Sequence, residues 1–299
     1  MKNAFSVNLE YFALISFCAL LNAIPYRIAM ALARALGAML FHVFRFKRKR
    51  TLGRVRSVFP DLDERAAERI ALGSLQNILM VGVEMMRAPK LDRRWMDEHV
   101  KDGALYKDKL QSYVDEGKGV VIMVPHCGNW YMAAWSMARY GLRLFAIAAR
   151  QRNPKLNAWM GRHYGDVEVL DRDNRDTLAK IHEKLAAGGA FAILPDLRVR
   201  KKDVEVDFFG GKANVSHAGA MFAVRCGSPI VVAMMRREGG RHVFEHLATL
   251  RPDPAAADRK AEAARLTREA MAILDAGIRR HPEEWFWYNK RWILEPPTD

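Results

Sequence analysis

Five consecutive apolar residues, Val120 to Val124, follow the polar stretch Asp115 to Lys118 and carry no charge on either face. A short, β-branched run without alternation is what a strand buried on both sides of a parallel sheet requires. Similar runs recur at Leu144 to Ala149 and Phe191 to Leu194. Around them the apolar spacing becomes helical: about Glu64 to Met86, with Asp63 placed to cap it, then Leu105 to Glu116, Tyr131 to Tyr140, Arg175 to Ala187 ahead of Gly188 and Gly189, and about Ala261 to Arg280. Pro229 to Met235 and Arg241 to Leu247 flank Glu238, Gly239 and Gly240 and predict a β-hairpin. Strands alternating with helices predict an α/β fold, a mostly parallel central sheet flanked by helices, with the hairpin as an antiparallel edge. In open sheets of this kind the ligand crevice lies beyond the carboxyl ends of the strands. Three polar residues fall there: His126, Arg150 and Asp196.

The first fifty residues have a different texture. Tyr11 to Ile24 is an uncharged run of 14 residues, ended by Pro25, and a second apolar stretch from Ala29 to Phe46 runs into Lys47, Arg48, Lys49 and Arg50. Apolar helix followed by basic cluster is the arrangement for docking on an anionic leaflet, at about 1 kcal/mol for each basic residue near the surface. Residues 1–50 are therefore expected to be an N-terminal membrane-associating helical segment, monotopic on the inner leaflet, with a single span as the alternative and a buried hairpin as the bland one. Glu10, and the lack of an A-x-A site before Pro25, weigh against a cleaved signal. No linker interrupts residues 51–299, which are read as one domain.

Charge narrows the partners. Lys and Arg number 48 against 34 Asp and Glu, a formal net charge of +14. Such a balance points to nucleic acid, an anionic lipid surface or an acidic carrier protein. The basic residues are dispersed, with no zinc-finger spacing, no RNA-binding aromatic signature and no basic helix leading into heptads, so no nucleic-acid partner is expected. The three cysteines, Cys18, Cys127 and Cys226, are far apart and form no CxxC pair, which leaves neither a disulfide framework nor a cysteine-rich metal site.

His126 lies in VPHCGNWYMAAW, between a strand end and a helix start. There its ring can face the crevice while helical N–H groups face an anion, the setting of a general base for acyl transfer. Backbone donors that hold the oxyanion in other acyl-transfer enzymes are worth about 3 to 4 kcal/mol. Cys127, next in sequence, points to the opposite side of an extended segment and is read as a small buried residue rather than a nucleophile. Arg150 in ARQRNP is either a clamp for a phosphate or phosphopantetheine arm or a surface arginine. Phe208 and Phe209 in DFFGGK form either an apolar wall at the substrate or plain core at a turn. The C-terminal HPEEWFWYNKRW suits an interfacial tryptophan belt, a carrier-facing surface, or core packing of Trp285, Trp287 and Trp292.

The block around His126 resembles the His-x4-acid motif of the lysophospholipid acyltransferase superfamily, in particular its lauroyl and myristoyl lipid A branch. RVRSVFPDLDERAAERIALGSLQN, LPD at Leu194 to Asp196, DFFGGKANVSHAGAMFAVRCGSPIVV and HPEEWFWYNKRW look like the same branch, and together they cover roughly residues 10 to 295. The resemblance implies an acyl thioester donor (acyl carrier protein or acyl-CoA), a hydroxyl acceptor on a lipid or glycolipid, and His126 as the base that deprotonates it. It also implies work at the cytoplasmic face of the inner membrane, with no cofactor and no metal. Asn129, Glu84, Arg150, Phe208 and Phe209 are the residues expected at the substrate.

One position departs from the motif: Tyr131 stands where the acid is expected. Loss of the equivalent carboxylate in serine proteases lowers the rate about 10⁴-fold, and a phenol supplies no charge at neutral pH. Three arrangements remain open. Another carboxylate takes over, Asp196 first and Glu84 second; or Tyr131 orients the ring in a slow enzyme; or the chain is a silent lipid-binding or scaffolding protein.

Overall fold

The computed structural model describes residues 4–295, with side chains from residue 7. Two apolar helices come first, α1 (Ala4–Ala23) and α2 (Tyr26–His42), then α3 (Arg48–Val58) and the long α4 (Glu64–Arg87). Asp63 caps α4 as expected, its carboxylate accepting from the Ala66 N–H at 2.6 Å. The α/β body follows in chain order: α5 (Arg93–His99), β1 (Val100–Lys101), α6 (Gly103–Tyr113), β2 (Val120–Met123), α7 (Trp130–Arg139), β3 (Leu144–Ala148), α8 (Pro154–His163), β4 (Glu168–Asp171), α9 (Thr177–Ala186), β5 (Ala190–Ile193), β6 (Val204–Phe208), β7 (Gly211–Val215), α10 (Ala218–Cys226), β8 (Ile230–Glu238), β9 (Arg241–Leu250) and α11 (Arg259–Arg280).

Seven strands make one sheet in the order β1-β9-β8-β2-β5-β3-β4. Every pair is parallel except the β8–β9 hairpin, outside which the two-residue β1 pairs with β9. β6 and β7 form a separate hairpin. The continuous apolar run of β2 is explained by its neighbours: Val121 and Met123 enter the core beneath α10 and α11, whereas Val120, Ile122 and Val124 enter the core beneath α7. A strand with period-two side chains between two dry layers has no polar position to spare.

The hydrophobic pattern did not foretell α5, α8, α10, the short edge strands β1 and β4, or the β6–β7 hairpin. These are brief, half-exposed elements whose register is set by what they lie against rather than by their own periodicity.

At the N-terminus, Leu21, Ala29, Met30 and Ala33 pack on Met80 and Val83 of α4. The Arg87 guanidinium donates to the carbonyls of Leu21 and Ile24. The opposite side of the pair is apolar and uncovered: Phe12, Leu20, Leu32, Leu36, Val43 and Phe44 are all exposed. Among the described residues no helix is long and apolar enough to cross a membrane.

Candidate active site

Register places the central pair. Met123 of β2 is paired with Ile193 of β5 in a parallel ladder. His126 and Asp196 each lie three residues beyond those strand ends, in the matching runs Val124-Pro125-His126 and Leu194-Pro195-Asp196. Two chains leaving adjacent parallel strands with the same apolar-Pro-polar sequence therefore arrive side by side. The Asp196 carboxylate meets His126 twice: Oδ1 lies 2.7 Å from the ring Nδ1, and Oδ2 accepts from the His126 backbone N–H at 2.7 Å. Trp285 adds a third bond, its indole N–H donating to Oδ2 at 2.8 Å.

Asp196 is fully buried. Burial alone would push its carboxyl up, but the imidazole beside it and these three bonds hold it below the usual carboxylate range. A carboxylate facing Nδ1 selects the tautomer with the proton on Nδ1, which leaves the Nε2 lone pair free to accept one. The His126 side chain is 18% exposed and stands on the wall of a cavity of about 590 Å³ at the carboxyl ends of the strands. Its wall is largely apolar, with Ile122, Trp130, Ala146, Leu194 and Phe222 among the lining residues.

The loop carrying His126 is fixed by a segment far away in sequence. The Phe286 N–H donates to the His126 carbonyl and the Gly128 N–H to the Glu284 carbonyl, 3.0 and 3.1 Å respectively. Asn77 of α4 donates to the carbonyls of both Gly128 and Glu284. Gly128 has φ +59°, and a Cβ there would lie 1.6 Å from the Met235 carbonyl oxygen, so only glycine fits. Trp285, Asn77 and the Glu284 backbone are supports that the motif reading missed. Trp285 and Trp287 are buried and pack against Phe209 in the core, the core-packing alternative of the three the segment offered, rather than an interfacial belt or carrier-facing surface. The only sequence signal was the density of aromatic residues.

The other expected site residues distribute unevenly. Tyr131 lines the cavity but joins an aromatic wall, its ring stacked on Trp135 at 5.7 Å and Tyr164 at 6.4 Å, while Asp196 takes the imidazole Nδ1. Burial pushes its phenol up, so it carries no charge there. Asn129 is the buried N-cap of α7, its Oδ1 accepting from Met132 N–H and its amide donating to Glu84 at 2.6 Å. Glu84, also buried, is held by Tyr26, Arg237 and His242 as well. Burial would raise its carboxyl, but Arg237 and His242 hold it well below the ordinary value. Neither Asn129 nor Glu84 is among the described residues lining the cavity, so both reach it only through the framework around His126.

Arg150 is 73% exposed and paired with Asp171 at 3.1 Å, the surface-arginine alternative. Phe208 and Phe209 are core, not cavity wall; Phe209 has φ +53° and its N–H is held by the Asp275 carboxylate at 3.0 Å. Cys127 is buried and burial pushes its thiol well up, as befits a packed residue rather than a nucleophile. Among the described residues, His281, Glu283 and Glu284 bring potential metal ligands within 4.8 Å of one another, but both Glu284 oxygens already accept from the Arg237 N–H at 3.0 Å.

The model of the bacterial lipid A biosynthesis acyltransferases matches residues 2–293 of this chain. The chain belongs to that family. Its relatives include the phosphatidylinositol mannoside acyltransferase of Mycolicibacterium smegmatis, 25% identical over 71% of this chain and 68% of that protein. The protein of the same name from Mycobacterium tuberculosis is 24% identical over 71% of this chain and 66% of its own length. Family membership makes the protein an acyltransferase acting in lipid or glycolipid chemistry. The histidine–carboxylate pair and its apolar cavity are the features of this acyltransferase that such chemistry can use.

Proposed function

We propose that the protein moves a fatty acyl chain from an acyl thioester, carried by acyl carrier protein or coenzyme A, to a hydroxyl of a lipid or glycolipid acceptor, with His126 as general base and Asp196 as its orienting carboxylate. The supporting observation is the 2.7 Å bond from His126 Nδ1 to a buried, triply bonded Asp196 on the wall of an apolar cavity. His126 Nε2 takes the acceptor hydroxyl proton as that oxygen attacks the thioester carbonyl. The tetrahedral oxyanion then collapses, the C–S bond breaks, and the departing sulfur receives the proton from the imidazolium. Asp196 remains ionised and stabilises the ring while it is positive. An apolar cavity beside the base supplies a dry seat for the acyl chain.

We infer that the protein works at the cytoplasmic face of the inner membrane, lying on the leaflet. The uncovered apolar side of α1 and α2, running into Lys47 to Arg50, supports this reading.

Purified protein incubated with acyl thioester and an acceptor lysolipid tests the chemistry. His126→Ala is expected to abolish transfer, and Asp196→Asn to lower kcat about 10²- to 10⁴-fold. Turnover unchanged in Asp196→Asn would refute the proposed pair. Lipid binding without turnover in the wild type would leave a silent lipid-binding protein instead.

A further inference from the structure

The cavity beside His126 reaches down one face of the sheet beneath α7, and strand register shows what hollows it out. Val231, Ile122, Ala192, Ala146 and Val169 stand in one row across β8, β2, β5, β3 and β4. All five belong to the core layer that α7 covers. Branched side chains fill the row except at the two alanines, which are each other's partners on adjacent strands. The side of α7 that lines the same cavity carries Ala133, Ala134 and Met137. Small residues on both layers leave a gap where close packing would otherwise leave none. Ala146 is accordingly only partly buried, although it lies beneath a helix. One row further from the catalytic end, Val120, Ala190 and Leu144 are in register, and of these three only Leu144 lines the cavity. The trough therefore ends on Leu144 and on Val167, which lies just before β4. At the other end, His126 and Asp196 come four residues after Ile122 and Ala192, which puts the alanines on the order of 10 Å below the base.

We propose that Ala146 and Ala192 select the length of the acyl chain. The proposal rests on the reading of this cavity as the acyl seat. A chain whose thioester carbonyl lies at His126 Nε2 runs down the sheet beneath α7, passes over the alanine pair and stops on Leu144. A larger side chain at either alanine blocks it midway, and a smaller one at Leu144 lets it go deeper. In an apolar pocket each methylene admitted or excluded changes binding about tenfold or more.

Full-length protein is titrated with the octyl, dodecyl and hexadecyl thioethers of phosphopantetheine, the arm common to acyl carrier protein and coenzyme A. A thioether cannot transfer its chain, so the result does not depend on the roles given to His126 and Asp196. Wild type is expected to bind the dodecyl chain more tightly than the octyl chain. Ala146→Leu and Ala192→Leu each lower that preference at least about tenfold, while the octyl thioether binds as in wild type. Leu144→Ala raises the preference for hexadecyl over dodecyl. A leucine that enters empty space leaves the melting temperature at or above the wild-type value, whereas one forced into a filled core overpacks it and lowers that temperature. Length-dependent binding that both leucine variants leave unchanged would overturn the proposal and spare the acyl seat, as would a lowered melting temperature in both. Binding that ignores chain length, or no saturable binding at any length, would remove the seat itself and the proposal with it.

Discussion

Trp285 donates its indole N–H to the Asp196 carboxylate at 2.8 Å, across 89 residues of sequence. That bond, with the two from His126, leaves the buried carboxylate satisfied and ionised next to the base. Trp285→Phe removes the donor while keeping an aromatic ring. The variant is expected to lose about 1 to 3 kcal/mol of stability, the range for stranding a buried acceptor, and to lower kcat more than it raises KM. Thermal melts and initial rates with an acyl thioester read the two effects. A variant with a normal melt and unchanged kcat would show that Asp196 does not need this bond.

Tyr131 occupies the acid position of the motif but faces an aromatic wall, and this separates it from the imidazole. Tyr131→Phe should keep turnover within about threefold of wild type, because no bond to the base is lost. Tyr131→Glu should not raise the rate; it buries a carboxylate among rings, and its melting temperature should fall. A gain in kcat for Tyr131→Glu would mean that Asp196 is not the orienting group.

Glu284 lies on the segment that pins the His126 loop, and its carboxyl is pushed up to about 7 by burial, against the lowering effect of the Arg237 N–H. A carboxyl whose folded pKa exceeds its unfolded value favours the folded state when protonated. Its contribution is whole below the unfolded value and is lost as pH rises through about 7. Glu284→Gln keeps an acceptor for Arg237 and has no charge to bury. The stability of the variant should therefore gain on wild type between about pH 5 and about pH 8. Parallel unfolding curves across that window, with no relative gain, would contradict the assignment.

Membrane docking is best tested by point changes. Deleting the first fifty residues would strip Ala29, Met30 and Ala33 from α4 and take Tyr26 from Glu84, so loss of binding would be confounded with loss of fold. Leu32→Ser, Leu36→Ser and Val43→Ser together leave that packing intact, since all three are exposed. Flotation with anionic vesicles should fall steeply while the melting temperature moves little, exposed changes costing within about 0.5 kcal/mol each. Undiminished flotation would remove α2 from the membrane contact.

The linear sequence by itself determined the alternation of buried strands and helices, the capped helix after Asp63, the β8–β9 hairpin and the position of His126 at a strand end. Each of these rests on neighbours in sequence: an apolar run, a capping residue, a pair of glycines. It also put Asp196 just past a strand end, and so on the short roster of carboxylates. What it could not decide was which carboxylate meets the ring. That depends on β2 and β5 being adjacent and paired at Met123 with Ile193, although α7, β3, α8, β4 and α9 lie between them in the chain. The roles of Trp285, Asn77 and Glu84 were hidden for the same reason, because a hydrogen bond across tens to hundreds of residues leaves no periodicity in either partner. Tyr131 shows the converse. Its place five residues after His126 fits the motif spacing, but the turn of α7 directs its ring into the aromatic wall, and tertiary packing hands the imidazole to Asp196.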